Sequence, residues 1–274
     1  MIEFPEARVL AQQLQQTLVG KTISAVTAAS SPHKFAWYHG DPLQYPRLLS
    51  GKKILSASSF GGLVQLEGKD ICLLFGDGIS LRFFPPGEKI PNKHQLLLKF
   101  NDNSVLLASV QMYGGLWCFR PGEFDNQYYL VARKKPSPLT KEFTQDYFAS
   151  LLAETARAKS AKGFLATEQR IPGLGNGVLQ DILFNAHIHP KRPISSIAPA
   201  ELKQLYLAVK NTLRQMAAQG GRDTEKGLFG QRGGYRTILS KNTFNYPCPV
   251  CAGSLNKETY LGGSVYYCST CQPL

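Results

Sequence analysis

Four cysteines near the C-terminal end constrain the fold of this chain more than any other feature. They form two Cys-x2-Cys pairs separated by sixteen residues, namely Cys248, Cys251, Cys268 and Cys271. Each pair directs two thiolates at one ion, and the intervening segment is long enough for a β-hairpin that brings the pairs together. The spacing predicts one tetrahedral zinc ion, which is structural because protein ligands fill all four positions. Two disulfides in a secreted protein are the alternative.

The sequence around these pairs supports the zinc interpretation. The hairpin arms are predicted at 254–260 and 264–267, with Gly262 and Gly263 near the turn. The first ten residues contain no basic region followed by an apolar one, so we expect a cytoplasmic protein, where disulfides are rare. The remaining cysteines, Cys72 and Cys118, lie in apolar strand-like segments and are predicted to be packed thiols.

The charge of the chain predicts an anionic partner. The 31 lysines and arginines outnumber the 19 aspartates and glutamates, which gives a formal net charge of +12. Nucleic acid is the first candidate and an anionic membrane surface the second, and a merely solvated basic surface is the alternative. Hydrophobic residues make up 43%, which is typical of a globular protein, and no window approaches 18 consecutive apolar residues. A membrane-spanning protein is therefore excluded.

Hydrophobic periodicity divides the rest of the chain into a helix, a β-rich region and a helical region. Pro5 to Val19 predicts a helix because Val9, Leu10, Leu14 and Leu18 recur at helical spacing. The β-rich region is punctuated by turn residues, which predicts an antiparallel sandwich or barrel. Its predicted strands are Ile54–Ala57, Leu63–Leu66, Ile71–Phe75, Ser80–Phe84, Gln95–Phe100, Val105–Leu107 and Gly115–Phe119.

A basic, proline-containing segment, Arg133 to Pro138, is predicted to be a linker, and an ordinary solvated loop is the alternative. The helices predicted after it are Lys141–Ala158, Lys162–Gln169, Val178–Asn185 and Pro199–Gln219. We therefore predict an α+β multidomain chain with an N-terminal helix and antiparallel β-sandwich in residues 1–132, a helical domain in 139–240 and a β-hairpin zinc finger in 241–274.

The turn Gly173-Leu174-Gly175-Asn176 joins two of the predicted helices and is suited to binding phosphate. Glycine lets the backbone approach a phosphate closely, Asn176 can donate and accept hydrogen bonds, and the next helix offers free N–H groups and its positive dipole end. Together with Lys162 on the preceding helix, Gly175 and Asn176 form a predicted phosphate clamp. A tight interhelical turn without ligand is the alternative.

At this point the sequence resembles the formamidopyrimidine-DNA glycosylase/endonuclease VIII family over essentially its whole length. The resemblance rests on Glu3-Phe4-Pro5-Glu6, the glycine–asparagine turn, Ile188-His189-Pro190 and the four cysteines followed by Gln272. It implies a β-sandwich domain, a helix–two-turns–helix DNA-binding domain and a zinc finger. It further implies a monomer that bends damaged double-stranded DNA in the cleft between domains and flips out the damaged base.

The resemblance also implies where the chemistry lies. In the family the N-terminal proline attacks the sugar C1′, and the adjacent glutamate handles protons. Here Ile2 takes the place of that proline, so the free amine belongs to Met1, one residue farther out. Glu3 matches the family's acid and Glu6 a second glutamate, although either carboxylate also suits the start of a helix. Met1, Glu3 and Glu6 are the candidate catalytic residues.

Two further positions depart from the family. Gly62 occupies the place of a catalytic lysine, and Gly263 that of an arginine that grips phosphates. These departures predict a DNA-repair glycosylase in which Glu3 activates water and AP-lyase activity is weak or absent. A catalytically silent protein that recognises lesions or DNA structure is the alternative. An RNA-binding zinc protein explains the charge and the cysteines but not the other motifs.

Other candidate DNA contacts lie in two glycine-containing segments. Gln111, Met112 and Tyr113 follow a strand where the family carries intercalating side chains, and packing at a strand end is the alternative. The segment 220–239 corresponds to a region that closes over the flipped base in the family. It supplies Arg232 and Arg236 as DNA contacts. A flexible linker to the zinc finger is the alternative for this segment.

Overall fold

The computed structural model describes residues 1–153 and 159–274 of the chain. Its helices are α1 (Phe4–Leu18), α2 (Tyr45–Leu49), α3 (Gln127–Lys134), α4 (Gln145–Ala153), α5 (Ala161–Ala166), α6 (Asn176–Asn185) and α7 (Pro199–Ala218). Its strands are β1 (Ile23–Ala28), β2 (Ala36–Tyr38), β3 (Ile54–Phe60), β4 (Leu63–Gly68), β5 (Ile71–Phe84), β6 (Leu96–Phe100), β7 (Val105–Phe119), β8 (Asn256–Tyr260) and β9 (Gly263–Tyr267). The predicted α+β class is confirmed. Within the described ranges, every helix is too short or too polar to cross a membrane.

Helix α1 forms where the apolar periodicity predicted it and packs against β3 and β4 of the sheet. Its first turn contains Pro5, and the backbone N–H of Glu3 donates to the Glu6 carboxylate at 3.3 Å. Leu14 and Leu18 are fully buried, and both belong to the main apolar core of the sheet. The residues that precede the helix thereby reach β5, where the Ile2 N–H donates to the Asp77 carbonyl.

The N-terminal sheet has the strand order β1-β6-β7-β5-β4-β3, with antiparallel pairing throughout. Strand β2 adds to β7 in parallel. The separately predicted strands Ile71–Phe75 and Ser80–Phe84 are one strand, β5, and Val105–Leu107 and Gly115–Phe119 are both part of β7. These divisions were wrong because the intervening glycines stay in the sheet. A Cβ at Gly115, for example, would lie 2.0 Å from the Trp117 ring.

The helical region has its own apolar core, built from α4 to α7 around residues such as Phe164, Ile182 and Leu213. The helix predicted at Lys141–Ala158 begins at Gln145, and residues 154–158 lie outside the described part of the chain. The helix predicted at Lys162–Gln169 ends at Ala166, since the backbone of Glu168 and Gln169 has positive φ.

The C-terminal hairpin consists of β8 and β9 joined by a turn at Leu261 and Gly262. It packs against α6, because Gln180 accepts a hydrogen bond from the N–H of Tyr266 at 3.0 Å and Phe184 shares an apolar cluster with that tyrosine. The hairpin is thereby fixed next to the first turn of α6.

The segment 220–239 is hydrogen-bonded to both parts of the chain and is not a free linker. Leu228 is fully buried in the sheet core, its carbonyl accepts from Phe83 N–H at 2.9 Å, and its own N–H donates to Gln13. At the other end, the Asp181 carboxylate of α6 accepts from the N–H groups of Ile238 and Leu239. The segment therefore ties the sheet to the helical region.

Candidate functional site

Glu3 lies where the sheet meets the helical region and caps helix α6. Its two carboxylate oxygens accept from the N–H groups of Gly177 and Val178, each at 2.8 Å, and the residue is 5% exposed. A negative charge at this end of a helix is favourable because the free N–H groups and the helix dipole point towards it. Burial raises the pKa of Glu3, and the nearby Arg222 acts to lower it.

Arg222 forms a buried ion network with Glu3 and Glu6. Its Nε and Nη2 atoms lie 3.0 and 2.7 Å from the two Glu6 oxygens, its backbone N–H donates to Glu6 Oε1, and its Nη1 is 3.4 Å from Glu3 Oε2. Burial acts to lower the pKa of Arg222, but the two carboxylates outweigh it and raise that pKa. A Cβ at Gly177 would lie 1.7 Å from Nη1, so a larger residue there would displace the guanidinium group. Sequence reasoning missed this role of Arg222.

The first two residues lie beside this network. The N–H of Ile2 donates to the carbonyl of Asp77 at 2.7 Å, and the Ile2 side chain is buried in the sheet core. The Met1 ammonium group is 2.6 Å from Glu225 Oε2. Both residues border a cavity of about 190 Å³, which is also lined by Glu6, Leu10, Ile79, Ser80, Leu81, Gln111, Thr224, Glu225, Lys226 and Arg232. Of the three candidate catalytic residues, Met1 and Glu6 reach this cavity.

Gly62 packs backbone against backbone with the glycine–asparagine turn. A Cβ at Gly62 would lie 3.2 Å from the Ile2 carbonyl oxygen and 3.3 Å from Gly173 Cα. Gly173 has φ +78°, and a Cβ on it would lie 2.3 Å from the Gly62 nitrogen. Phe4 N–H also donates to the Gly173 carbonyl at 2.8 Å. A lysine at position 62 would require this contact to open.

The structure brings the three predicted clamp residues to the junction of α5, α6 and the C-terminal hairpin. The Asn176 side chain donates to the Ser264 carbonyl at 2.7 Å, while its Oδ1 is buried without a hydrogen-bond partner. Lys162 is buried, its Nζ donates to the Tyr260 carbonyl at 2.5 Å, and burial lowers its pKa. A Cβ at Gly175 would lie 2.5 Å from Glu3 Cδ, which explains the glycine there.

The predicted wedge is an exposed group of apolar side chains next to Met1. Met112 is 64% exposed, and the Tyr113 hydroxyl lies 4.0 Å from Met1 Sδ. Parallel pairing of β2 with β7 places Trp37 beside Tyr113, with ring centroids 5.6 Å apart. Trp37 is 43% exposed. No sequence pattern pointed to Trp37, because β2 is only three residues long.

The two candidate arginines of the 220–239 segment differ in position. Arg232 lines the cavity and donates to the Asp223 carbonyl at 2.7 Å. Arg236 is exposed and lies outside the lining of the cavity. The structure therefore brings Arg232, but not Arg236, to the lining of the cavity beside Met1.

The four cysteines converge as the spacing predicted. All four Sγ atoms lie within 4.8 Å of one another, with 3.7 Å between Cys248 and Cys271 and 3.5 Å between Cys251 and Cys268. A tetrahedral site with Zn–S bonds of about 2.3 Å requires S–S separations of about 3.8 Å. The donor set therefore fits a metal ion. Gln272 supports the cysteine cluster, because its side-chain oxygen accepts a hydrogen bond from the Cys268 N–H at 3.1 Å.

Comparison with known proteins finds relatives that are similar to this chain over its whole length. A family model described as the formamidopyrimidine-DNA glycosylase H2TH domain matches residues 135–226. The formamidopyrimidine-DNA glycosylase of Bacillus cereus strain ATCC 14579 is 29% identical over 279 residues, which cover 100% of this chain and 99% of the relative. The protein of the same name from Cytobacillus firmus is 25% identical, with 99% of this chain and 100% of that protein covered. The chain is therefore similar to formamidopyrimidine-DNA glycosylases over its whole length, and residues 135–226 match the H2TH domain of that family.

Solved structures of the glycosylase family have the same fold over their full length. A complex of the Lactococcus lactis formamidopyrimidine-DNA glycosylase with DNA containing an abasic site matches with a TM-score of 0.84 at 22% identity, covering 99% of this chain and 100% of that chain. The protein from Thermus thermophilus matches with a TM-score of 0.81 at 22% identity, covering 98% of both chains. The predicted combination of a β-rich domain, a helix–two-turns–helix domain and a cysteine hairpin is therefore confirmed.

Proposed function

We propose that this protein binds damaged duplex DNA, with an oxidised base or an abasic site, and releases the damaged base as a DNA N-glycosylase in base excision repair. The observation that carries the proposal is the convergence of Met1, Glu6 and Arg232 on one cavity, in a chain that matches glycosylases from end to end. We expect it to act as a cytoplasmic monomer.

The partner is assigned from charge and from the relatives. The net charge of +12 suits a phosphate backbone, and the Lactococcus lactis relative has been solved with DNA carrying an abasic site and with DNA carrying N7-benzyl-Fapy-dG. Separate apolar cores in the sheet and the helical region support the predicted domains 1–132, 139–240 and 241–274. We place DNA between them, with Asn176 and Lys162 on one side and the Met112–Tyr113 wedge on the other.

Weak AP-lyase activity follows from the state of the N-terminal residues. The nitrogen of Ile2 is a buried amide that donates to a carbonyl, so it has no lone pair available for attack. The Met1 ammonium is paired with Glu225, and Gly62 offers no side chain. Hydrolysis by water needs no amine, so base release does not depend on these groups.

Because the N–H groups of α6 occupy both Glu3 oxygens, we assign Glu3 to positioning the helix terminus and Glu6 to holding Arg222.

The four cysteines are proposed to hold one structural zinc ion, which when bound fixes the hairpin and supplies no open coordination site. The hairpin in turn provides the carbonyls of Tyr260 and Ser264 to which Lys162 and Asn176 donate. The ion thus acts on DNA binding through the position of these two side chains.

The test is base release from duplexes that carry a panel of oxidised and alkylated bases. We expect wild type to release at least one base, and Glu3→Gln to be slower by about 10²-fold because a small displacement of α6 misplaces the substrate. Glu88→Gln, which removes a charge from an exposed loop, is the control and should match wild type. Borohydride should trap little or no covalent adduct with abasic DNA, and efficient trapping would contradict the proposed lack of lyase activity.

A catalytically silent lesion-binding protein is the second candidate. It is favoured by the replacement of three family positions by Ile2, Gly62 and Gly263. If wild type and Glu3→Gln both bind lesion-containing DNA tightly and neither releases any base of the panel, this second function is correct.

A further inference from the structure

Strand β5 contains a strained acidic residue that the functions assigned above do not use. Asp77 has φ +61° and lies at a bulge in the pairing of β5 with β7. Its neighbours are glycines without space for a side chain, since a Cβ at Gly76 would lie 2.5 Å from Leu63 Cδ2 and one at Gly78 would lie 2.5 Å from the Tyr113 carbonyl oxygen. Residues other than glycine rarely adopt such a backbone conformation, and where they do it is often at functional sites.

The bulge places the backbone of Asp77 next to the N-terminal residues that border the cavity. Its carbonyl accepts the N–H of Ile2, the residue in the position of the family's nucleophile, at 2.7 Å. Across the sheet it is paired with Gly114, the residue after Tyr113 of the wedge. Asp77 therefore lies between the N-terminal residues and the side chains proposed to fill the space of a flipped base.

The carboxylate of Asp77 differs from the other acids of the site. Glu3 and Glu6 are held by N–H groups and Arg222, and Glu225 is held by Met1. Within residues 1–153 and 159–274, the Asp77 carboxylate makes no hydrogen bond or ion pair, and although the residue is partly buried its oxygens retain contact with solvent. Partial burial raises the pKa of Asp77, which makes it a stronger base than an exposed carboxylate.

We propose that Asp77 is the general base that activates water for release of the damaged base. The Asp77 carboxylate takes a proton from a water molecule, and the water oxygen forms a bond to the sugar C1′. The bond between C1′ and the base nitrogen breaks with its electron pair going to the base, and the proton passes from Asp77 to the departing base or to solvent. The products are the free base and an abasic site. This role rests on the glycosylase activity proposed above.

The experiment compares single-turnover base release by wild type, Asp77→Asn and Asp70→Asn, on whichever duplex of the lesion panel wild type processes. Asparagine tolerates positive φ, so Asp77→Asn keeps the bulge and removes only the basic oxygen. Asp70 is the matched control, because it has φ +59° and lies in the turn between β4 and β5. Affinity for duplex DNA with a stable abasic-site analogue is measured in parallel to show that each variant is folded and binds.

A loss of 10²- to 10⁴-fold in the rate for Asp77→Asn supports the role, with lesion-DNA affinity within about threefold of wild type and Asp70→Asn unchanged. If wild type releases the base and Asp77→Asn does so within threefold of its rate, the role of Asp77 is refuted while the glycosylase activity stands. If wild type binds lesions but releases no base, the glycosylase activity fails, and the role of Asp77 fails with it.

Discussion

Replacing Arg222 by methionine is expected to destabilise the protein strongly. The Arg222 side chain is 3% exposed and the Glu3 and Glu6 side chains are each 6% exposed, so the variant would leave two carboxylates buried without their shared cation. Removing one partner of a buried ion network costs about 3–5 kcal/mol in unfolding free energy. Urea unfolding at pH 7, followed by circular dichroism, measures this loss.

Arg192→Met is the matched control for this experiment. Arg192 binds Glu201 through two hydrogen bonds of 2.6 and 2.8 Å, but its side chain is 19% exposed and that of Glu201 37%. A pair this exposed is worth about 1 kcal/mol or less. If Arg222→Met costs no more than Arg192→Met, the buried network does not stabilise the junction between the sheet and α6.

The pH dependence of the same variant gives a second check. Burial already raises the pKa of Glu3 and Arg222 acts to lower it, so removing Arg222 raises this pKa further. The folded variant then binds protons more tightly than the unfolded chain, and its stability falls as the pH rises through the pKa of the folded state. The cost of Arg222→Met is therefore expected to be largest near pH 7 and to shrink towards pH 5. A cost that grows in acid would contradict this assignment of charges.

Two further predictions concern the hairpin and the wedge. Chelation of bound zinc should lower DNA affinity at least tenfold, and restoring zinc should recover it, because Lys162 and Asn176 donate to carbonyls of the zinc-bound hairpin. Fluorescence anisotropy measures this affinity, and an unchanged affinity of the metal-free protein would contradict the prediction. Trp37→Ala should weaken binding to abasic DNA by about tenfold, because the stacking of Trp37 is lost. Trp37→Phe should abolish the change in tryptophan fluorescence that accompanies binding, whereas the Trp117→Phe variant should still show that change. A fluorescence change that is lost in Trp117→Phe and kept in Trp37→Phe would show that the DNA does not contact Trp37.

Local sequence patterns predicted those parts of the fold that depend on nearby residues. The apolar spacing in α1 and the two Cys-x2-Cys pairs each specify a local geometry, and both were found in the structure. The division of β5 and β7 was wrong because glycine signals a turn in isolation, whereas here Gly76 and Gly115 leave space for neighbouring side chains within the sheet.

The composition of the site was less predictable, because its contacts connect distant positions. Arg222 and Glu6 are 216 residues apart in the chain, and no periodicity links them. Asp77 could have been singled out by the Gly-Asp-Gly sequence, which is unusual inside a strand, but its approach to Ile2 depends on how α1 docks on the sheet. The family resemblance indicated which positions matter, and the structure indicates what the substituted residues do there.

The measurement that tests the account most directly is the affinity of the zinc-loaded protein for matched duplexes that differ at one position. One duplex is intact, one contains a stable abasic-site analogue and one contains an oxidised base, all at the same salt concentration. The account predicts that both damaged duplexes bind at least tenfold more tightly than the intact one. Equal affinity for all three duplexes would contradict it, whatever the strength of the binding.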